Sequence, residues 1–155
     1  MKKKLIVLLL IFTGVLLITG CAADNKELNK DQNKKESLVD LEYYPPKETK
    51  DPIKLEYNSN KTISYQYRED TNKSISLTYV KGQDYKYIED NNSNEIKEGE
   101  INGNTWKYFI EDGAGIETKT YYIVHNNDLY YIELNSYTKY ANDFDTFMKD
   151  VSFKD

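Results

Sequence analysis

The sequence predicts an α+β domain: an antiparallel β-sheet with a C-terminal amphipathic helix packed on one face. Three observations predict it. Apolar and polar residues alternate with period two through much of residues 53–134, the pattern of strands that are wet on one side. Pairs rich in asparagine and glycine, which suit tight hairpin turns, punctuate the alternation. Near the C-terminus the period changes to three and four, that of a helix with one apolar stripe. One such helix against one antiparallel sheet is an α+β arrangement.

The elements follow in chain order. In "IKLEY" Ile53, Leu55 and Tyr57 share a face. In "TISYQYR" Ile63, Tyr65 and Tyr67 oppose Thr62, Ser64, Gln66 and Arg68. In "SISLTYV" Ile75, Leu77 and Tyr79 oppose Ser74, Ser76 and Thr78. "DYKYIED" reads equally as a strand or a helical turn, and residues 91–95, "NNSNE", read as a loop. Asn102-Gly103 predicts a hairpin, because both residues tolerate positive φ, and Trp106, Tyr108 and Ile110 follow on one face. "DGAG" makes the next turn. The clearest hairpin is "TKTYYIVHNNDLYYIELN", turning at Asn126-Asn127 or Asn127-Asp128. Either turn puts Tyr121 and Ile123 on the side of Tyr130, Ile132 and Leu134, the expected core. Tyr122, Val124 and Tyr131 then face solvent or a second packed layer. Tyr140, Phe144, Phe147, Met148 and Val151 mark the helix, with Asn142 the expected cap. Phe153 closes against the core.

Residues 53–155 form the expected globular domain, of a size that builds its own core. Residues 21–52 are polar, of mixed charge, and hold Pro45, Pro46 and Pro52. They offer few apolar groups to offset ordering entropy, so a flexible tether is expected, reaching about 30 Å. Leu38, Val39, Leu41, Tyr43 and Tyr44 are its exception, a patch able to dock as an edge strand or short helix.

Residues 1–20 read as a signal peptide. Lys2, Lys3 and Lys4 precede a nearly unbroken apolar run, Leu5 to Leu17. That run is shorter than the roughly 20 residues of a membrane span, and no basic stop-transfer flank follows it. Ile18-Thr19-Gly20-Cys21 resembles a bacterial lipobox. The resemblance implies diacylglyceryl transfer to the sulfur of Cys21 and cleavage between Gly20 and Cys21. Two acyl chains anchor durably where one binds only marginally. The expected location is therefore the extracytoplasmic face of the cell membrane, with the membrane itself a partner through lipid on Cys21. Cys21 is the only cysteine among the 155 residues, so no internal disulfide can form. Abundant Lys, Asn, Ile and Tyr beside a single Arg match AT-rich codons, as in low-GC Gram-positive bacteria.

The run "INGNTWKYF … TYYIVHNNDLYYIELNSYTKYANDFDTFMKDVSF" resembles the C-terminal half of the PsbP/Mog1-like superfamily, in which a hairpin precedes a helix and an "SF"-type segment. The resemblance implies an antiparallel sheet between helices. It transfers no activity, because that fold serves unrelated functions.

Charge and composition narrow the function. Loss of three lysines with the leader takes the net charge from −5 to −8, which disfavours nucleic acid. His125, the only histidine, sits beside a turn without an evident nucleophile. One histidine and no free cysteine make no zinc site. Asp90, Asn92 and Asn94 lack the glycine and terminal glutamate of an EF-hand loop. No glycine-rich phosphate loop occurs, and Glu98 and Glu100 read as a solvated strand face. No metal and no cofactor are expected.

The 15 tyrosines suit core packing and strand propensity, and also an aromatic binding platform. Tyr122 and Tyr131 are its candidate residues, with Thr120 and Glu133 on the same side. The expected function is a non-enzymatic binding or accessory module of the cell envelope, contacting an envelope protein or glycan. A small cell-wall hydrolase and a solute-binding component are the alternatives.

Overall fold

Two-residue turns set the topology of the computed structural model, which describes residues 34–154. Asn58-Ser59, Asn102-Gly103, Ala114-Gly115 and Asn126-Asn127 all have positive φ at both positions. Such turns match the right-handed twist of the strands they join. They link β3 (Ile53–Tyr57) to β4 (Asn60–Gln66), β6 (Lys97–Ile101) to β7 (Asn104–Gly113), β7 to β8 (Ile116–His125), and β8 to β9 (Asp128–Asn135). With β5 (Ser74–Val80) they build a seven-stranded antiparallel sheet ordered β3-β4-β5-β9-β8-β7-β6. "DYKYIED" forms a short helix, α1 (Lys86–Glu89). The chain ends with α2 (Ala141–Lys149) and β10 (Ser152–Phe153).

The inner face of the sheet carries the core. Ile63 and Tyr65, then Ile75, Leu77 and Tyr79, then Tyr130, Ile132 and Leu134, then Tyr121 and Ile123 are all buried in one cluster. The hairpin register expected from parity is the one observed, with Tyr121 opposite Ile132. Phe144, Phe147 and Met148 of α2 belong to the same cluster. Asn142 does not cap α2. The helix begins two residues earlier than that cap would set it, after Tyr140, with no side-chain cap bond, and the Asn142 carbonyl accepts from Thr146 Oγ1 at 2.8 Å.

Residues 36–43 do not belong to a tether. They form β1 (Glu36–Leu38) and β2 (Leu41–Tyr43), which with β10 make a second, three-stranded sheet. Leu38, Leu41 and Tyr43 are buried in the main core, so the folded part includes residues 36–43 and does not begin at Ile53. Tyr43 and Tyr65 join hydroxyls at 3.1 Å, and Tyr65 donates to Glu36 at 3.1 Å. Gly20, Cys21, the signal peptide and the rest of the expected tether through Asn33 lie outside the described residues.

The strand at Ile53 also differs from expectation. Ile53, Leu55 and Tyr57 do share a face, but all five β3 residues are exposed. Their partners Ser64, Thr62 and Asn60 stand on the polar side of β4, while Ile63 and Tyr65 point to the core.

Candidate functional site

The outer face of the large sheet is built by the polar phase of the same alternation. Across it run two rows of directly opposed residues. One reads Ile53, Ser64, Ser76, Glu133, Thr120, Phe109. The other reads Leu55, Thr62, Thr78, Tyr131, Tyr122, Lys107. The middle of both rows is rich in hydroxyls. Ser64 and Ser76 hydrogen-bond at 2.9 Å, and Thr62 and Thr78 at 3.1 Å. Ser64 and Ser76, both half-buried, use one O–H internally and leave the second O–H for another molecule, whereas Thr78 is buried, as is Thr120, so that of the threonine pair half-buried Thr62 is the accessible member. Beyond them Thr118 donates to Asn135 at 2.8 Å, and Asn135 donates to Ser74 at 2.7 Å.

Glu133 stands among these hydroxyls, half-buried, between Ser76 and Thr120. Burial raises its pKa above the ordinary glutamate value, and the charge of Glu111 adds to the rise. Among the described residues no lysine or arginine forms an ion pair with it, and an unpaired carboxylate is an expensive occupant of a half-covered surface. Tyr131, beside it, is half-buried, and its hydroxyl is pushed up to about 12, first by burial and then by Glu133.

Tyr122 does not belong to an accessible face. It is fully buried in a second, smaller cluster with Val80, Phe109 and Leu129, against which Tyr85 and Ile88 pack. Its hydroxyl donates to Glu89 at 3.2 Å, and Glu89 also accepts from Lys107 at 2.7 Å. The Lys107 ammonium lies 4.4 Å from the Tyr85 ring centroid. Tyr122 therefore fastens α1 to the sheet. The sequence places Tyr122 on the correct side of the sheet, but the cover comes from a segment more than thirty residues away, which alternation does not report.

The hydroxyl rows are the part of the site that candidate-residue reasoning missed. Their signal is present: the polar phases of "TISYQ" and "SISLT" hold only Ser, Thr and Gln. Exposed strand faces ordinarily carry charge as well.

Other candidates are accounted for locally. His125 stacks on Phe153 at 3.9 Å, and Trp106 stacks on the same ring at 6.1 Å, which clamps the C-terminal strand. Asn92 Oδ1 accepts from both nitrogens of Asn94, folding that loop on itself. Glu98 and Glu100 are exposed on edge strand β6. Several tyrosines surround lysines. Lys119 is buried, with Tyr108, Tyr121 and Tyr137 rings 4.3–4.7 Å away, and burial lowers its pKa. Lys73 lies between Tyr67 and Tyr140 and pairs with Asp143 at 2.5 Å. Among the described residues no three His, Cys, Asp or Glu side chains gather as a metal would need. No described helix is long and apolar enough to cross a membrane.

No family model matches the chain, and no curated protein matches it.

Proposed function

We propose that the protein is a non-enzymatic binding module of the cell envelope, held to the outer face of the membrane by lipid on Cys21, and that its outer sheet face takes a glycan. The single observation that carries the binding reading is the pair of hydroxyl rows converging on Tyr131 and Glu133. Hydroxyls, an aromatic edge and a carboxylate are complementary to a polyhydroxylated chain. The anchor reading is supported by Lys2–Lys4, the apolar run and the lipobox-like Ile18-Thr19-Gly20-Cys21. In this reading α2 lies across the inner sheet face, supported by burial of Phe144, Phe147 and Met148. The order of hairpin, helix and closing "SF" strand supports a PsbP/Mog1-like fold.

The test is retention on purified wall glycan. Ser64→Ala/Ser76→Ala and Thr62→Val/Thr78→Val each replace both partners of a hydrogen bond by apolar groups, which is nearly neutral for folding. Each should weaken retention by about tenfold or more with an unchanged melting temperature. Undiminished retention would refute the assignment of the face.

A second reading rests on Glu133, half-buried on the face, whose pKa is raised by burial and then by the charge of Glu111, as suits a general acid. That reading requires release of soluble fragments from wall glycan, abolished by Glu133→Gln. The binding reading expects no fragments.

A further inference from the structure

The two edges of the large sheet are β3 and β6, and among the described residues nothing pairs with the open side of either. Both are five-residue strands entering a two-residue turn, so their geometry is equivalent. Their chemistry is opposite. β3 exposes Ile53, Leu55 and Tyr57 at 54%, 57% and 76%, on one side, with Lys54 and Glu56 on the other. β6 alternates Lys97, Gly99 and Ile101 with Glu98 and Glu100.

We propose that β3 pairs antiparallel with β3 of a second copy of this chain, about a two-fold axis at Leu55. The register follows from backbone geometry. Residues flanking a two-residue turn form a hydrogen-bonded pair, and such pairs alternate with non-hydrogen-bonded ones. Tyr57 faces Asn60 across the turn, so the backbone groups of Ile53, Leu55 and Tyr57 are spent on β4. Those of Lys54 and Glu56 point to the open edge. Two copies then exchange backbone hydrogen bonds between Lys54 of one and Glu56 of the other, on both sides of the axis.

The side chains agree with that register. Lys54 lies opposite Glu56 of the second copy, so the strand is complementary to itself. Leu55 meets Leu55 as a non-hydrogen-bonded pair, and Ile53 meets Tyr57. The present partners of the two charges, Glu36 at 3.9 Å and Lys61 at 3.8 Å, are exposed contacts that compete weakly. The same operation on β6 places Glu98 opposite Glu100 twice, which is repulsive. One edge is thus protected by charge while the other invites its own copy. An axis perpendicular to the sheet leaves the outer faces of both copies on the same side. A five-residue pairing is small, so a high local concentration favours it.

The test is oxidative cross-linking in cells producing the full-length chain, read on non-reducing gels. Leu55→Cys places two thiols within disulfide reach, because non-hydrogen-bonded pairs have Cα atoms about 4.5 Å apart. It should give a dimer band far above wild type, whose only cysteine is Cys21. Gly99→Cys is the matched control, since a Cβ there meets only Tyr108 in ordinary contact at 3.6 Å. It should stay at background. Adding Lys54→Glu to Leu55→Cys should reduce the dimer about tenfold, and further adding Glu56→Lys should restore it. Three outcomes would overturn the proposal: no dimer from Leu55→Cys, equal dimer from Gly99→Cys, or indifference to the charge reversal.

Discussion

Glu133 is held where its charge is poorly solvated and Glu111 opposes it. Because its pKa is raised in the fold, its contribution to stability is fully present below the ordinary value of 4.5 and is lost as pH rises through the raised value. Glu133→Gln should therefore raise the urea midpoint at pH 7 and leave it nearly unchanged at pH 4. A variant destabilised at pH 7 would mean that the carboxylate is favourably paired. Tyr122 and Tyr131 differ by their cover. Both were legible as outer-face residues from parity, but α1 buries only the first completely. Sequence alternation reports the side of a sheet and stays silent about what lies over it.

The elements most legible in the sequence are those with strong local signals. Asn-Gly and Asn-Asn turns with long alternating strands mark β6 to β9, and the observed register keeps Ile132 and Tyr121 inside. Three strands were misread for physical reasons. β1 and β2 are three residues each, too short for periodicity, and their burial depends on tertiary partners such as Tyr65 and Phe147. β3 alternates clearly, but alternation does not say which phase is buried, and pairing with β4 turns its apolar phase outward. The first misreading has a direct test. A chain starting at Ile53 loses Leu38, Leu41 and Tyr43, at about 1.5–3 kcal/mol each. That approaches the whole stability of a small domain, about 5–15 kcal/mol. Circular dichroism of this chain should show no cooperative melt, whereas a chain starting at Lys34 should melt cooperatively. Equal transitions in the two would show that the small sheet is dispensable.

At the scale of the molecule, the lipid anchor we propose would hold one polar sheet face near envelope material, and the negative charge of the chain would keep the domain off anionic lipid. The anchor is tested at Cys21. Cys21→Ala should abolish labelling by radioactive fatty acid and leave precursor or shed protein, and labelling equal to wild type would exclude lipidation at that sulfur. The face is tested most directly by amide chemical-shift mapping of the chain from Lys34, titrated with soluble wall-glycan oligosaccharides. Shifts should concentrate at Thr62, Ser64, Ser76, Tyr131 and Glu133, the half-buried residues of the face, with the oligosaccharides recovered intact. Shifts confined to other surfaces, no shifts at saturating sugar, or cleavage of the oligosaccharides would contradict the binding reading.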